Sequence, residues 1–269
     1  MSLIFAMAAK TIVRTNIVLH LSYKGTCFYG WQSQKNLPTI QDTLEKAICA
    51  CGLGPVRLCG SGRTDTGVHA LDYVANFLTE KNMPEACIKE ALNAHLPDSI
   101  RVTRVEKASA VFHSRYHATA KVYRYLIADR FSPFLENTAW VVRYLLDVKK
   151  MKDASSLLLG EKDFSSFQSS GSCIRNPVRT VKSISIHRTR FTLDPSVNII
   201  SVEIEATGFL YRMARNIVGL LVEAGRGRLS LAQISRIIAA KDRKLAPPPA
   251  PPDGLYLKKV CYLQGKRNE

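Results

Sequence analysis

Residues 60–70 read Gly60-Ser61-Gly62-Arg63-Thr64-Asp65-Thr66-Gly67-Val68-His69-Ala70 and form a polar loop with three glycines. The glycines allow the backbone to turn tightly and to hold the carboxylate of Asp65 at a fixed place. An aspartate in such a turn often bonds its own backbone, so a structural role stays open. The loop lacks the GxxxxGK[ST] pattern of a phosphate cradle, and a carboxylate would repel a phosphate. A single carboxylate beside basic residues is better suited to act as a nucleophile or general base.

The loop lies among segments whose patterns alternate between strand and helix. Residues 16–23 alternate apolar and polar side chains as a strand does. Thr39 is a suitable N-cap for an amphipathic helix over residues 40–48. After the loop, the pattern predicts a strand around 73–78, a helix at 85–94 that Pro84 opens, and a strand at 100–105.

The order of elements begins again in the second half of the chain. The pattern predicts strands at 121–128, 181–187, 199–205 and 255–263, and helices from Asp147 to Leu159, at 209–224 and from Ser230. The tract APPPAPP at 246–252 cannot form a helix or an inner strand, so we expect it to run extended over the surface.

This repeated order predicts an α+β fold with two similar halves, each a mostly antiparallel sheet with helices on one face. We expect a disordered leader at 1–13, an N-terminal domain at 14–110 with the Asp65 loop, and a C-terminal domain at 111–269. A single domain around one large sheet is the alternative.

The charge of the chain is unusual for its length. The 269 residues include 38 Lys and Arg against 22 Asp and Glu, a net charge of +16. A surplus of this size favours a polyanionic partner, and nucleic acid comes first because no apolar run approaches the ~20 residues of a membrane span. The seven cysteines form no CxxC pair, which argues against zinc ribbons and predicts reduced thiols in the cytoplasm. A merely cationic soluble enzyme stays open.

Two arginines lie in the apolar pattern at 209–224. Because Arg212 and Arg215 are three residues apart, a helix places them on neighbouring turns of the same face. They could form a solvated basic edge. Alternatively, one contacts RNA phosphate while the other forms a salt bridge with a catalytic carboxylate, which would keep that carboxylate ionised.

The strand at 121–128 interleaves tyrosines with cations. Strand alternation puts Lys121, Tyr123 and Tyr125 on one face and Arg124 on the other. Aromatic rings between cations suit stacking on bases beside contacts to the RNA backbone. Packing of one or both rings in the core is an equal alternative.

Motifs along the chain resemble those of the tRNA pseudouridine synthase A family. The loop GSGRTDTGVHA is similar to the family signature GRTDxGVHA, and SYKGTCFYGWQSQ at 22–34 to its opening motif YDGTxFxGWQxQ. In the same order follow LNAHLP at 92–97, FHSR at 112–115, KVYRY at 121–125, GFLYRMARNIVG at 208–219 and PPDGLYL at 251–257. The resemblance spans about residues 14–263.

The resemblance implies the pseudouridine synthase fold, whose two halves line a basic cleft, and the conversion of uridine to pseudouridine at positions 38, 39 and 40 of tRNA. It implies a homodimer that uses no metal or organic cofactor. Asp65 takes the place of the family's nucleophile, and Arg215 that of the arginine paired with it. Tyr123 matches the tyrosine that stacks on the uracil, and Arg63 the arginine that positions the flipped nucleotide. We expect Lys121, Arg124 and Arg212 to bind the RNA beside them.

The chain departs from the family pattern at four motif positions. Lys24 stands where an acidic residue is usual, and Thr66 where alanine is common. Tyr73 and Asn76 stand where glutamine and histidine are common, and the sequence assigns them no role. Two other functions remain as competitors, namely a non-catalytic RNA-binding protein and an aspartyl phosphotransferase. The second expects an Mg²⁺ carboxylate cluster, and residues 60–70 hold only one carboxylate.

Overall fold

The computed structural model describes residues 14–171 and 176–263, so the leader expected at 1–13 lies outside the described residues. The helices are α1 (Ile40–Ala50), α2 (Glu85–His95), α3 (Val148–Ser156), α4 (Met213–Gly225) and α5 (Leu231–Ala240). The strands are β1 (Thr15–Tyr23), β2 (Cys59–Gly60), β3 (His69–Thr79), β4 (Ile100–Ala108), β5 (Ala118–Ala128), β6 (Trp140–Val141), β7 (Gly160–Asp163), β8 (Val178–Phe191), β9 (Asp194–Ala206) and β10 (Leu255–Tyr262). Within these ranges, no helix is long and apolar enough to cross a membrane.

All ten strands belong to one sheet, with the order β4-β1-β3-β10-β5-β9-β8-β7 and with β2 on β3 and β6 on β5. The main path is antiparallel except between β3 and β10, which pair in parallel at Tyr256 with His69 and at Leu257 with Ala70. The predicted α+β class with mostly antiparallel strands is confirmed. The strands form one continuous sheet, as the alternative of a single large sheet describes, and the division into two similar halves stays a prediction. The parallel pair matters for the site, because it brings β10 beside the last two residues of the Asp65 loop.

The apolar core divides into two main clusters although the sheet is continuous. One contains α1 and α2 packed on β1, β3 and β4. The other contains α3, α4 and α5 packed on β5, β8 and β9. Ile40, Leu44 and Ile48 are buried on α1, and the Thr39 hydroxyl accepts from the Asp42 amide at 3.2 Å, as a cap does. The domain division between residues 110 and 111 stays a prediction.

The helix predicted at 209–224 begins four residues later, at Met213. Residues 209–212 instead form a turn in which Leu210 O accepts from the Met213 amide at 3.0 Å and Tyr211 O from the Ser169 amide at 3.1 Å. Arg212 has a left-handed backbone with φ of 58° and precedes the helix as its N-cap. The apolar spacing continues through the turn because Phe209 and Leu210 pack on the same core, which is why periodicity alone predicted the helix too early.

The proline tract is irregular as predicted, but the expectation that it only runs over the surface is wrong at its end. Ala250 is buried, and its amide donates to Arg215 O at 3.0 Å. The carbonyl of Pro248 occupies the space that a Cβ at Gly219 would need, so the tract lies directly against α4. Because prolines donate no N–H, their segment cannot join the sheet, and its carbonyls remain free to accept from a helix side chain.

Candidate active site

The Asp65 loop lies against the chain segment that follows β1. Thr64 O accepts from the Trp31 amide at 3.1 Å, and Thr64 Oγ1 hydrogen bonds with the Tyr23 hydroxyl at 2.9 Å. Thr64 O also lies where a Cβ of Gly30 would be, and Gly30 has φ of +84°. The family-like motifs at 22–34 and 60–70 therefore pack against each other. Their contacts hold Thr64, the residue next to Asp65, by both its backbone and its side chain.

The Asp65 carboxylate faces two guanidinium groups. Arg215 Nη1 lies 3.1 Å from Asp65 Oδ2, and Arg212 Nε lies 4.0 Å from the same oxygen. The Asp65 side chain is 20% exposed and that of Arg215 10%, whereas Arg212 is 40% exposed. The close ion pair is mostly buried, so it orients the carboxylate with little screening from water.

A second contact fixes Arg215 from behind. Its Nε donates to Ala250 O at 2.7 Å, while its own carbonyl accepts from the Ala250 amide. Two N–H groups of the guanidinium are thus bonded, Nε to the proline tract and Nη1 to Asp65. The arginine has no freedom to leave the carboxylate without breaking a buried hydrogen bond.

The position of Arg212 near Asp65 does not follow from its three-residue spacing from Arg215 on a helix. The sequence predicted both arginines on one helix face, but Arg212 lies before the helix and owes its direction to its left-handed backbone. Its guanidinium lies over the Tyr211 ring at 4.9 Å. Its side chain is 40% exposed, so it is the more accessible of the two cations.

Tyr123 lies on β5 between the two core clusters. Its ring meets that of Phe209 edge to face, with centroids 4.7 Å apart. Burial, and then the negative charge of Asp65, raise the pKa of the Tyr123 phenol, so the group is neutral and close to the carboxylate. Tyr125, two residues on, is a core residue whose hydroxyl donates to Pro251 O at 2.8 Å.

Two predicted RNA-binding cations approach the loop from other sides. Lys121 Nζ lies 2.6 Å from the place where a Cβ of Gly62 would be. Burial, and then the positive charge of Arg115, lower the pKa of Lys121 to about 8. Arg63 is exposed, and its Nε donates to Gln32 Oε1 at 3.3 Å. Cations from three separate parts of the chain thus lie at the Asp65 loop, with Arg212 and Arg215 at the carboxylate, Lys121 at Gly62 and Arg63 within the loop itself.

The structure does not bring Arg124 to this group. As strand alternation requires, it faces the side of the sheet opposite Tyr123, where its Nη2 lies 2.7 Å from Glu203 Oε1. Lys258 Nζ is 2.7 Å from the same carboxylate. A contact of Arg124 with RNA stays a prediction.

A family model described as tRNA pseudouridine synthase matches residues 21–117 and 154–263. The chain belongs to this family. The proteins named tRNA pseudouridine synthase A of Thermoanaerobacter pseudethanolicus and Acetivibrio thermocellus are 42% and 43% identical to it over 249 residues, which is 92% of this chain and 99% of each relative. The protein of that name from Neisseria gonorrhoeae is 41% identical over 245 residues, 90% of both chains.

The Asp65–Arg215 ion pair joins the two ranges that match the synthase family. Asp65 belongs to the first matched range and Arg215 to the second, 150 residues later. Lys121 and Tyr123 lie between the ranges. The candidate site therefore forms only when the two matched ranges pack together.

Sequence reasoning missed the role of Tyr73, to which it assigned none. The residue is fully buried on β3, and its hydroxyl donates to the carbonyl of Gly62 within the Asp65 loop. Its ring is stacked on Trp31 with centroids 4.1 Å apart. A tyrosine in an alternating strand looks like a core residue, and only its departure from the family pattern marked the position.

His69 joins the loop to the last strand. Its Nδ1 accepts from the Gly25 amide at 3.0 Å, so its Nε2 carries the proton and donates to Asp253 O at 3.0 Å. Its ring is stacked on Tyr256 at 4.7 Å. Burial lowers the pKa of His69, which keeps it neutral while both its ring nitrogens bond to backbone groups of the protein.

Proposed function

We propose that the chain converts uridine to pseudouridine at positions 38, 39 and 40 in the anticodon stem-loop of tRNA, with Asp65 as the nucleophile. The observation that carries this proposal is the mostly buried ion pair between Asp65 and Arg215 at 3.1 Å, and the negative charge of Asp65 helps to raise the pKa of the Tyr123 phenol. A carboxylate held in this way is a nucleophile in a fixed direction next to a flat surface that suits a base.

The reaction rearranges one nucleotide without adding or removing atoms overall. The N1–C1′ bond breaks, the uracil turns, and C5 bonds to C1′ while the C5 proton leaves and N1 takes up a proton. Asp65 attacks the nucleotide and departs as the new bond forms. Arg215 holds the carboxylate in place and supplies a fixed positive charge to the site.

The target base must leave the helical stack before it can reach Asp65, which costs a few kcal/mol. Stacking on Tyr123 recovers about 1–3 kcal/mol of this. Arg63, Arg212 and Lys121 contribute phosphate contacts around the same loop. Arg124 lies on the other face of the sheet and is not needed for these steps.

The proposal extends to the assembly and its location. The family resemblance suggests a homodimer, in which the two halves of the chain line a basic cleft for tRNA. The cysteine pattern suggests a cytoplasmic enzyme. Light scattering measures the first of these directly, with about 60 kDa expected for two chains of 30.0 kDa each.

The test is incubation with unmodified tRNA that carries tritium at uridine C5, because isomerisation releases the tritium and binding alone does not. Transcripts with uridine at only one of positions 38, 39 and 40 separate the three sites. We expect Asp65→Ala to abolish release and to leave tRNA affinity within about a few-fold, since it removes no phosphate contact.

The matched control is Asp98→Ala, which removes an exposed carboxylate outside the site. It should release tritium as the unmodified chain does. Loss of binding together with activity in Asp65→Ala would make Asp65 a structural turn residue. Tight, salt-sensitive binding without release by the unmodified chain would favour the non-catalytic RNA-binding protein instead.

A further inference from the structure

Lys121 and Arg115 are two cations beside the Asp65 loop. Lys121 is half-buried over Gly62. The Ser114 hydroxyl donates to Cys59 O, which places the neighbouring Arg115 beside the start of the same loop. Within residues 14–171 and 176–263, neither side chain has a carboxylate or any other acceptor at hydrogen-bond distance. In this they differ from Arg215 and Arg124, which are each paired with a carboxylate.

Such an arrangement is unfavourable until an anion joins it. Two like charges repel each other, and the burial of Lys121 removes part of the water that would screen it, whereas Arg115 is exposed. Burial lowers the pKa of Lys121 only to about 8, so the ammonium is still mostly charged at neutral pH. An ammonium beside a guanidinium matches the charge and the multiple acceptors of a phosphate group.

The position of this pair points to RNA as the source of the phosphate. Gly62 is three residues before Asp65, and Lys121 shares its strand face with Tyr123. The neighbouring Tyr116 is 73% exposed, and its ring lies 4.3 Å from that of His113 and 5.8 Å from the Arg115 guanidinium. An exposed ring beside cations is typical of surfaces that bind single-stranded RNA.

We propose that Lys121 and Arg115 together bind one phosphate of the substrate RNA, next to the nucleotide that reacts at Asp65. The proposal rests on the function given above, because it takes the RNA to be the substrate. It gives Arg115 a role in RNA binding, and it gives Lys121 one specific phosphate as its partner. The phosphate fixes the register of the strand while Tyr123 receives the base.

The test is a scan of an anticodon stem-loop RNA in which one linkage at a time is a neutral methylphosphonate. Affinity is measured by fluorescence anisotropy with the unmodified chain, Lys121→Met and Arg115→Gln. We expect that neutralising one particular linkage lowers the RNA affinity of the unmodified chain about tenfold. The same neutral linkage should not lower the RNA affinity of either variant any further. Each variant should also lower the salt slope of binding by about 0.7.

Two further variants serve as controls. Lys89→Met removes an exposed lysine on α2 and should respond to every linkage as the unmodified chain does. Lys121→Arg keeps the charge and should restore affinity, which excludes a loss caused by misfolding. If each neutral linkage lowers the RNA affinity of Lys121→Met as much as that of the unmodified chain, the proposed phosphate site is wrong.

The outcome can be separated from that of the proposed function, because binding and tritium release are measured independently. A chain that shows the coupling but releases no tritium keeps the phosphate site and contradicts the isomerase. A chain that releases tritium without the coupling keeps the isomerase and contradicts the phosphate site. Tight binding of free inorganic phosphate with no coupling to any RNA linkage also overturns the proposal.

Discussion

Two positions in the Asp65 loop hold their cations in opposite ways. Asp65 is called the paired end here and Gly62 the unpaired end. At Asp65, Arg215 is mostly buried and makes two hydrogen bonds, one to the carboxylate and another to Ala250 O. At Gly62, three residues earlier, Lys121 is half-buried with no acceptor among the described residues. Burial alone therefore does not reveal what a cation in this site does. The hydrogen bonds of the cation reveal its role, because a paired cation orients the carboxylate that it contacts and an unpaired cation is available to bind the substrate.

The largest expected effect comes from breaking the paired end. Arg215→Met leaves Arg212, at 4.0 Å and more exposed, as the remaining ion-pair partner of Asp65 among the described residues, and it leaves Ala250 O without this donor. We expect tritium release to fall by about 10²–10³-fold, the usual effect of losing one preorganised charge. The free energy of unfolding should fall by about 2–3 kcal/mol in urea titration, because a mostly buried carboxylate loses its partner.

Arg212→Met is the comparison for that change. Since its guanidinium is farther from Asp65 and 40% exposed, the variant should lose less stability and should weaken RNA affinity more. Equal effects of the two substitutions on the free energy of unfolding would contradict the distinction between a paired and an available cation.

The next effect tests how the Gly62 end is held in place. Tyr73→Phe keeps the ring on Trp31 but removes the hydroxyl that donates to Gly62 O. We expect kcat to fall about ten- to thirtyfold with little change in KM, because the loop that carries Asp65 loses its fixed position. The free energy of unfolding should fall by about 1 kcal/mol.

Tyr256→Phe is the matched control, because its hydroxyl donates to Thr138 O at 2.7 Å, outside the loop. It should lose similar stability and keep kcat. If both variants retain full activity, Tyr73 is only a core residue, as its strand pattern alone indicates.

Much of the fold follows from local pattern. The caps at Thr39 and Ser230 and the alternation of β1 and β5 predicted elements that the structure contains. Alternation on β5 also predicted that Arg124 and Tyr123 lie on opposite faces of the sheet. The start of α4 could not be predicted this way, because Phe209 and Leu210 continue the helical spacing from a turn that is held by Ser169.

The site itself depends on contacts that no local pattern contains. Asp65 and Arg215 are 150 residues apart in sequence, and only the family resemblance paired them. The role of Ala250 needed the packing of the proline tract on α4, and that of Tyr73 needed the path of the loop above β3. Long-range positioning of this kind depends on how the elements pack together, not on the propensity of any one residue.

A smaller effect distinguishes the two cations by pH. Arginine stays charged at all working pH values, whereas Lys121 has a pKa of about 8 in the free chain. A phosphate binds only the charged form, so the contribution is present below pH 8 and is lost as the pH rises through 8. We expect RNA affinity to fall by up to about tenfold between pH 7 and 9.

Lys121→Arg on the same RNA is the control for this pH profile. The groups that face Lys121 do not change in this range, since Arg115 stays charged and burial raises the pKa of Tyr123. A steep profile that persists in Lys121→Arg would assign the titration to the RNA or to another side chain.

The smallest effect comes from adding one methyl group under Lys121. Gly62 lies outside the positive-φ residues of the described chain, so Gly62→Ala should not strain the backbone. Its Cβ would lie 2.6 Å from Lys121 Nζ, and the flexible end of the lysine must move by about 1 Å to reach normal contact. We expect RNA affinity to weaken about threefold, with kcat at saturating RNA and the free energy of unfolding nearly unchanged. In Lys121→Met the same substitution should have no further effect on affinity, because the displaced charge is already absent. An equal weakening in both backgrounds would show that the methyl group disturbs the loop itself, and the unpaired end would then be no more adaptable than the paired one.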